Sequence, residues 1–259
     1  MPRRCSAEWR ICPACPGSAQ VQHLRSLLFT TYMMLSACLY GIFMTLCFWL
    51  PYRAHFAIAR SWARVLLRLL EGLCGLGYVI EGLENLPAGN HIVMCNHSSA
   101  WETIAPFVIF PPQVWVLKRE LLWIPFVGWG LKLLNPIAIN RGEGHRAVNQ
   151  VIEQGKERLA GGLWVVIFPE GTRVTAGETR RYGLSGALLA TATGKLVVPM
   201  AHDAGRFWPR RGFLKKRGTI HVIIGKPIIT AGKKPRDLNE EIRAAIETAC
   251  RRIEAGRPV

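Results

Sequence analysis

The sequence predicts an α/β domain, with a mostly parallel sheet covered by helices, preceded by an N-terminal pair of helices suited to a membrane. Three observations carry this. After Gly77, short β-branched runs alternate with helical patterns of about a dozen residues. From Leu27 to Leu50 the chain reads LLFTTYMMLSACLYGIFMTLCFWL without a charge. Between these two regions, Arg60, Arg64 and Arg68 recur at helical spacing beside Leu66, Leu67, Leu69 and Leu70.

Residues 1–20 show no periodicity and are expected to form a disordered extension. They hold one CxxC, Cys12 to Cys15, with no second pair or histidine partner, so no metal site is expected. The apolar run would span roughly 36 Å as a helix, enough to cross a bilayer, although dipping into one leaflet is the alternative. It is not a cleaved signal, because Trp49-Leu50-Pro51-Tyr52 makes a poor cleavage site. Arg10 and Arg25 precede it while Arg53, Arg60, Arg64 and Arg68 follow. That asymmetry places the following domain on the cytoplasmic side of the cell (inner) membrane.

The next helix, Ala54 to Leu76, is amphipathic with one basic stripe that suits an anionic membrane surface. Residues 21–76 therefore form the anchoring helices. Strands follow at Tyr78 to Glu81, His91 to Cys95, Val114 to Leu117, Ile137 to Ile139, Leu163 to Phe168, Val197 to Met200 and Thr219 to Ile224. Helices are expected at Ser99 to Phe110, His145 to Leu159, Gly183 to Thr193 and Asp237 to Ile253. No repeat or long linker divides residues 77–259.

The chain of 259 residues has 33 Lys and Arg against 17 Asp and Glu, a net charge of +16, which favours anionic partners. Basic residues do not interleave with aromatics along a groove, so nucleic acid is not expected. Eight scattered cysteines do not form the framework of a disulfide-rich secreted domain. A Walker loop and a dinucleotide fingerprint are both missing.

Chemistry concentrates in four short stretches. In HIVMCNHSSAWETIAPF, His97 and Glu102 lie five positions apart, about 140° around a helix and on opposite faces of a strand. They can meet only at a strand-to-helix junction, where the carboxylate would fix the imidazole tautomer and leave the other nitrogen to take a proton. Ser99 and Glu102 also fit a capping box, in which Glu102 serves only the backbone. Both readings stand on local grounds. In VVIFPEGTR, a strand delivers Glu170, Gly171, Thr172 and Arg173 to its carboxyl end, where backbone N–H groups, a hydroxyl and a guanidinium suit a phosphate. An ion pair between Glu170 and Arg173 is the plainer alternative. NPIAINRG places Arg141 after another short strand, and LVVPM reads as purely structural.

In this order the stretches resemble the 1-acylglycerol-3-phosphate O-acyltransferase (lysophosphatidic acid acyltransferase) family over Tyr78 to Pro227. NHSSAWE resembles the first family motif, INRG the second, FPEGTR the third and VVPM the fourth. KRELLWIPFVGWGL, from Lys118, also has the family's look. Glu102 stands where aspartate is commoner, and Asn140 where an acid is common. The resemblance implies transfer of an acyl chain from coenzyme A or acyl carrier protein to the free sn-2 hydroxyl of 1-acylglycerol-3-phosphate, giving phosphatidic acid. It implies His97 as general base and Glu102 as its orienting acid. It implies that Arg141, Arg173, Glu170, Gly171 and Thr172 bind the acceptor, and that there is no resident cofactor or metal. Another lysolipid acceptor, a membrane-anchored thioester or lipid hydrolase, and a non-catalytic membrane protein whose basic surface binds anionic lipid or nucleic acid are the alternatives.

Overall fold

The computed structural model describes residues 16–175, 178 and 180–256. Residues 1–15, with Cys12 and Cys15, lie outside them, although α1 already begins at Pro16 within the expected extension. The remaining elements are α2 (Tyr52–Cys74), β1 (Leu76–Glu81), β2 (Ile92–Cys95), α3 (Trp101–Ile104), α4 (Pro106–Ile109), β3 (Gln113–Lys118), α5 (Val127–Leu133) and β4 (Ile137–Ile139). They continue with α6 (His145–Ala160), β5 (Trp164–Ile167), α7 (Ser185–Thr193), β6 (Val197–His202), α8 (Ala204–Phe207), β7 (Gly218–Ile224) and α9 (Pro235–Glu254). Helix α1 itself runs Pro16–Leu46.

All seven expected strands form, in the order β1-β7-β6-β2-β5-β3-β4. Every neighbouring pair is parallel except β6 with β7. The central strands β2 and β5 are buried along their whole length, which is why IVMC and WVVI show no polar alternation. Alternate residues of these strands feed separate cores. Val93, Cys95 and Val166 pack with Phe56, Leu66, Leu70 and Trp101, on the side of α1 to α4. Ile92, Met94, Val165 and Ile167 pack with Val151, Leu189, Leu238 and Ile246, on the side of α6, α7 and α9.

Three helical expectations are corrected. The apolar run was expected to stay helical to Leu50, but α1 ends at Leu46 and Cys47 to Trp49 form a turn. Pro51 has no N–H to offer the Cys47 carbonyl, which Leu50 N–H and His55 Nε2 approach instead at 3.0 and 3.1 Å. The expected helix from Ser99 to Phe110 is two short helices that meet at Pro106, for the same reason. The basic stripe of α2 loses Arg60, whose guanidinium turns inward to donate to the Val108 carbonyl at 3.2 Å while Arg64 and Arg68 stay exposed.

Helix α1 is long and apolar enough to cross a membrane, with 22% of its most apolar window buried. It nevertheless lies against the α/β domain. Near its start, Ser26 Oγ accepts from the Lys215 N–H at 3.0 Å, and Gln22 Nε2 donates to the Cys74 carbonyl at 2.9 Å. Buried Lys215 reaches Thr30 and sits among the Phe29, Trp208 and Phe213 rings at 5.7, 4.9 and 5.3 Å. Farther along, Gly41 faces Gly130 of α5 so closely that a Cβ on Gly41 would lie 2.4 Å from the Phe126 oxygen. Phe29 and Met44 point into the core, while Leu24, Leu28, Leu35, Leu39 and Phe43 are exposed.

Candidate active site

Strand β2 ends at Cys95 and delivers Asn96 and His97 to the carboxyl edge of the sheet. His97 Nδ1 meets Glu102 Oε1 at 2.8 Å, as the strand-to-helix junction requires. The same oxygen accepts the Ser98 and Ser99 N–H groups at 2.8 and 2.6 Å, and Ser99 Oγ accepts from Trp101 N–H at 3.2 Å. Glu102 thus serves the backbone of the turn and the imidazole together, so the two readings of its sequence position are both realised. The arrangement is closed from below and accessible from above: Glu102 is 0% exposed and His97 8%.

Burial raises the Glu102 pKa, but the His202 and His97 imidazoles and the Ser99 N–H outweigh it, so the carboxyl stays below its usual range. An ionised Glu102 accepts a hydrogen bond from Nδ1–H, which fixes the His97 tautomer. Nε2 of His97 then remains as the free ring nitrogen, with no hydrogen bond among the described residues. The ring stacks on Phe168 with centroids 4.3 Å apart and planes at 18°.

The turn after β5 grips His97 from the other side. Glu170 Oε2 accepts the His97 N–H at 2.9 Å, and the Val174 N–H donates to the His97 carbonyl at 2.7 Å. Glu170 thus spends one of its two carboxylate oxygens on the His97 main chain. Burial pushes its pKa up to about 7, against the His97 N–H that lowers it. Gly171 has φ +67° in open space, so conformation and not room calls for glycine there. Arg173 follows with its Nε buried and without a hydrogen-bond partner among the described residues.

Not all expected groups converge. A cavity of about 270 Å³ is lined by Asn96, His97, Glu170, Tyr182, His202 and Cys250 among others, without Thr172 or Arg173. The Arg141 backbone begins a short 3₁₀ turn after β4, the edge strand, with β3 between β4 and β5. It shares the carboxyl edge of the sheet with His97 but not the same turn. Asn140, where an acid was looked for, donates to Glu143 at 2.7 Å.

The structure also brings in residues that sequence reasoning passed over. Strand β6 runs two residues beyond its expected end, from Met200 to His202, and so carries a second histidine to the site. His202 Nε2 lies 3.7 Å from Glu102 Oε2. Asn96 Nδ2 donates to the His202 carbonyl, and the His202 N–H to Asn96 Oδ1, each at 3.0 Å. The signal was a polar residue closing each of two apolar strands, easily overlooked beside the louder VVPM.

Residues 78–203 match the family model described as Acyltransferase. A 1-acyl-sn-glycerol-3-phosphate acyltransferase of Pseudomonas aeruginosa is 41% identical over 225 residues, which cover 85% of this chain and 86% of that protein. The chain belongs to the 1-acyl-sn-glycerol-3-phosphate acyltransferase family. A further relative with that name, from Saccharomyces cerevisiae, is 31% identical over 80% of this chain and 69% of its own length. The crystal structure of the 1-acyl-sn-glycerophosphate (LPA) acyltransferase PlsC from Thermotoga maritima shares the fold of this acyltransferase. Its TM-score is 0.77 over 93% of this chain and 99% of that chain, at 23% identity.

Proposed function

We propose that this chain transfers an acyl group from an acyl thioester to the free sn-2 hydroxyl of 1-acylglycerol-3-phosphate, giving phosphatidic acid. Family membership gives the reaction class, and one observation carries the mechanism: Glu102 commits Nδ1 of His97 and leaves Nε2 free. Nε2 takes the hydroxyl proton as the oxygen attacks the thioester carbonyl, and Glu102 stabilises the imidazolium that forms. When the tetrahedral intermediate collapses, the thiolate leaves and accepts that proton. No covalent acyl-enzyme is needed. General-base help of this kind is worth about 10²–10⁴-fold.

Arg173 suits the acceptor phosphate because its buried Nε lacks a partner, and the Gly171-Thr172 backbone and Arg141 complete the phosphate site. Glu170 contributes by holding His97 at the edge of that site. Coenzyme A or acyl carrier protein supplies the thioester, both being anionic partners for a chain of net charge +16. No resident cofactor or metal takes part.

The enzyme works at the cytoplasmic face of the cell membrane. Its first helix is tied to the domain at Lys215 and again at Gly130, so it lies in one leaflet with its exposed leucines in lipid instead of crossing.

The test is acyl transfer by detergent-purified protein from radiolabelled acyl-coenzyme A, with 1-acylglycerol-3-phosphate, lysophosphatidylcholine or no acceptor, for wild type and His97→Ala. Phosphatidic acid formed by wild type alone supports the reaction and its base. Free fatty acid without an acceptor product would make the enzyme a hydrolase, and undiminished transfer by His97→Ala would remove the base.

A further inference from the structure

His202 has no part in the chemistry above, yet its side chain is completely buried against the dyad. Its hydrogen bonds identify its tautomer. Nδ1 accepts from the Ala204 N–H at 3.2 Å, so the ring proton sits on Nε2 and is donated to the Asn96 carbonyl at 3.0 Å. Burial lowers the His202 pKa and agrees with this neutral form. Together with the two amide bonds already described, three hydrogen bonds clasp the end of β6 to the residue preceding His97.

The clasp also bears on Glu102. Oε1 has three donors, whereas Oε2 is buried with no hydrogen-bond partner among the described residues. A bare carboxylate oxygen in a dry interior is costly and would favour rotation or protonation of the group. On that side His202 presents its ring edge, with Nε2 3.7 Å from Oε2. We infer that His202 is a positioning residue for acyl transfer: it fixes the His97 main chain through Asn96, and its Nε2–H steadies Glu102 so that Oε1 stays on His97 Nδ1. This rests on the reaction proposed above and adds to it a residue outside the motif stretches.

Two small polar substitutions test it. Gln carries an amide N–H at the position of Nε2, and Asn carries one at the position of Nδ1. His202→Gln therefore keeps the donor that faces Asn96 and Glu102, whereas His202→Asn discards it. Because a misplacement of about 1 Å can cost roughly 10²-fold in rate, kcat should fall at least about tenfold in His202→Asn and stay within about threefold of wild type in His202→Gln. KM for donor and acceptor should hardly move in either variant. Equal kcat in the two variants, whether high or low, overturns the inference, and so does a loss in His202→Asn confined to KM. Failure of the wild-type chain to transfer an acyl group would instead overturn the proposed reaction.

Discussion

Glu170 carries a pH-sensitive carboxyl at the site. Burial raises its pKa from 4.5 to about 7, with the His97 N–H pulling it down and the nearby Glu102 pushing it up. A carboxyl raised on folding binds its proton more tightly in the native state than in the unfolded chain. Its contribution to stability is therefore full below the ordinary glutamate range and is lost as pH climbs through about 7. Glu170→Gln keeps an acceptor for the His97 N–H and removes the titration. Urea midpoints measured from about pH 5 to 8 should fall more steeply for wild type than for the variant, and parallel curves would show that Glu170 is not the source. Across the site, His97 and Glu102 were legible because both belong to one short turn whose local geometry can be worked out from spacing. His202 was not, because its bonds to Asn96 bridge 106 residues and depend on β6 lying beside β2. Thr172 and Arg173 lie at a strand end as expected, but spacing alone could not tell that they are not among the residues lining the cavity beside His97.

Among the elements, the strands were the most legible, since continuous apolar runs bounded by turns have few other uses in a doubly covered sheet. Helix ends were less so. A proline can sit in the first turn of a helix or divide one, and Pro106 does both by ending α3 and opening α4. The short α5 went unread because its close approach to α1 is a tertiary event. Gly41 lies inside α1, where propensity alone would make Gly41→Ala stabilising by about 0.5–1 kcal/mol. The added Cβ would instead meet the Phe126 carbonyl oxygen at 2.4 Å and its carbon at 2.8 Å. Overpacking of that kind costs about 1–3 kcal/mol, so the variant should unfold at a lower temperature than wild type. A higher melting temperature in detergent would show that α1 and α5 do not approach as closely as the two glycines permit.

Over the whole molecule, the proposed membrane association would draw on two forces. A net charge of +16 would favour anionic lipid, and exposed Leu35, Leu39, Phe43 and Leu46 of α1 offer apolar area, joined by exposed Trp123 and Trp129. Charge attraction is screened by salt and apolar burial is not. Flotation with anionic vesicles should therefore weaken between about 0.05 and 0.5 M salt yet persist, and neutral vesicles should capture less protein at low salt. Complete release by salt would leave the apolar stripe without a role. The ties that hold α1 down carry a consequence for synthesis. Gln22 meets the Lys215 carbonyl across 193 residues, which at roughly 5–20 residues per second is a delay of about 10–40 s. For much of that interval the leading helix, complete at Leu46, is without the Lys215 segment it will rest on. An apolar helix left waiting needs other cover, and on the proposed membrane reading a bilayer offers it before the catalytic residues have been assembled.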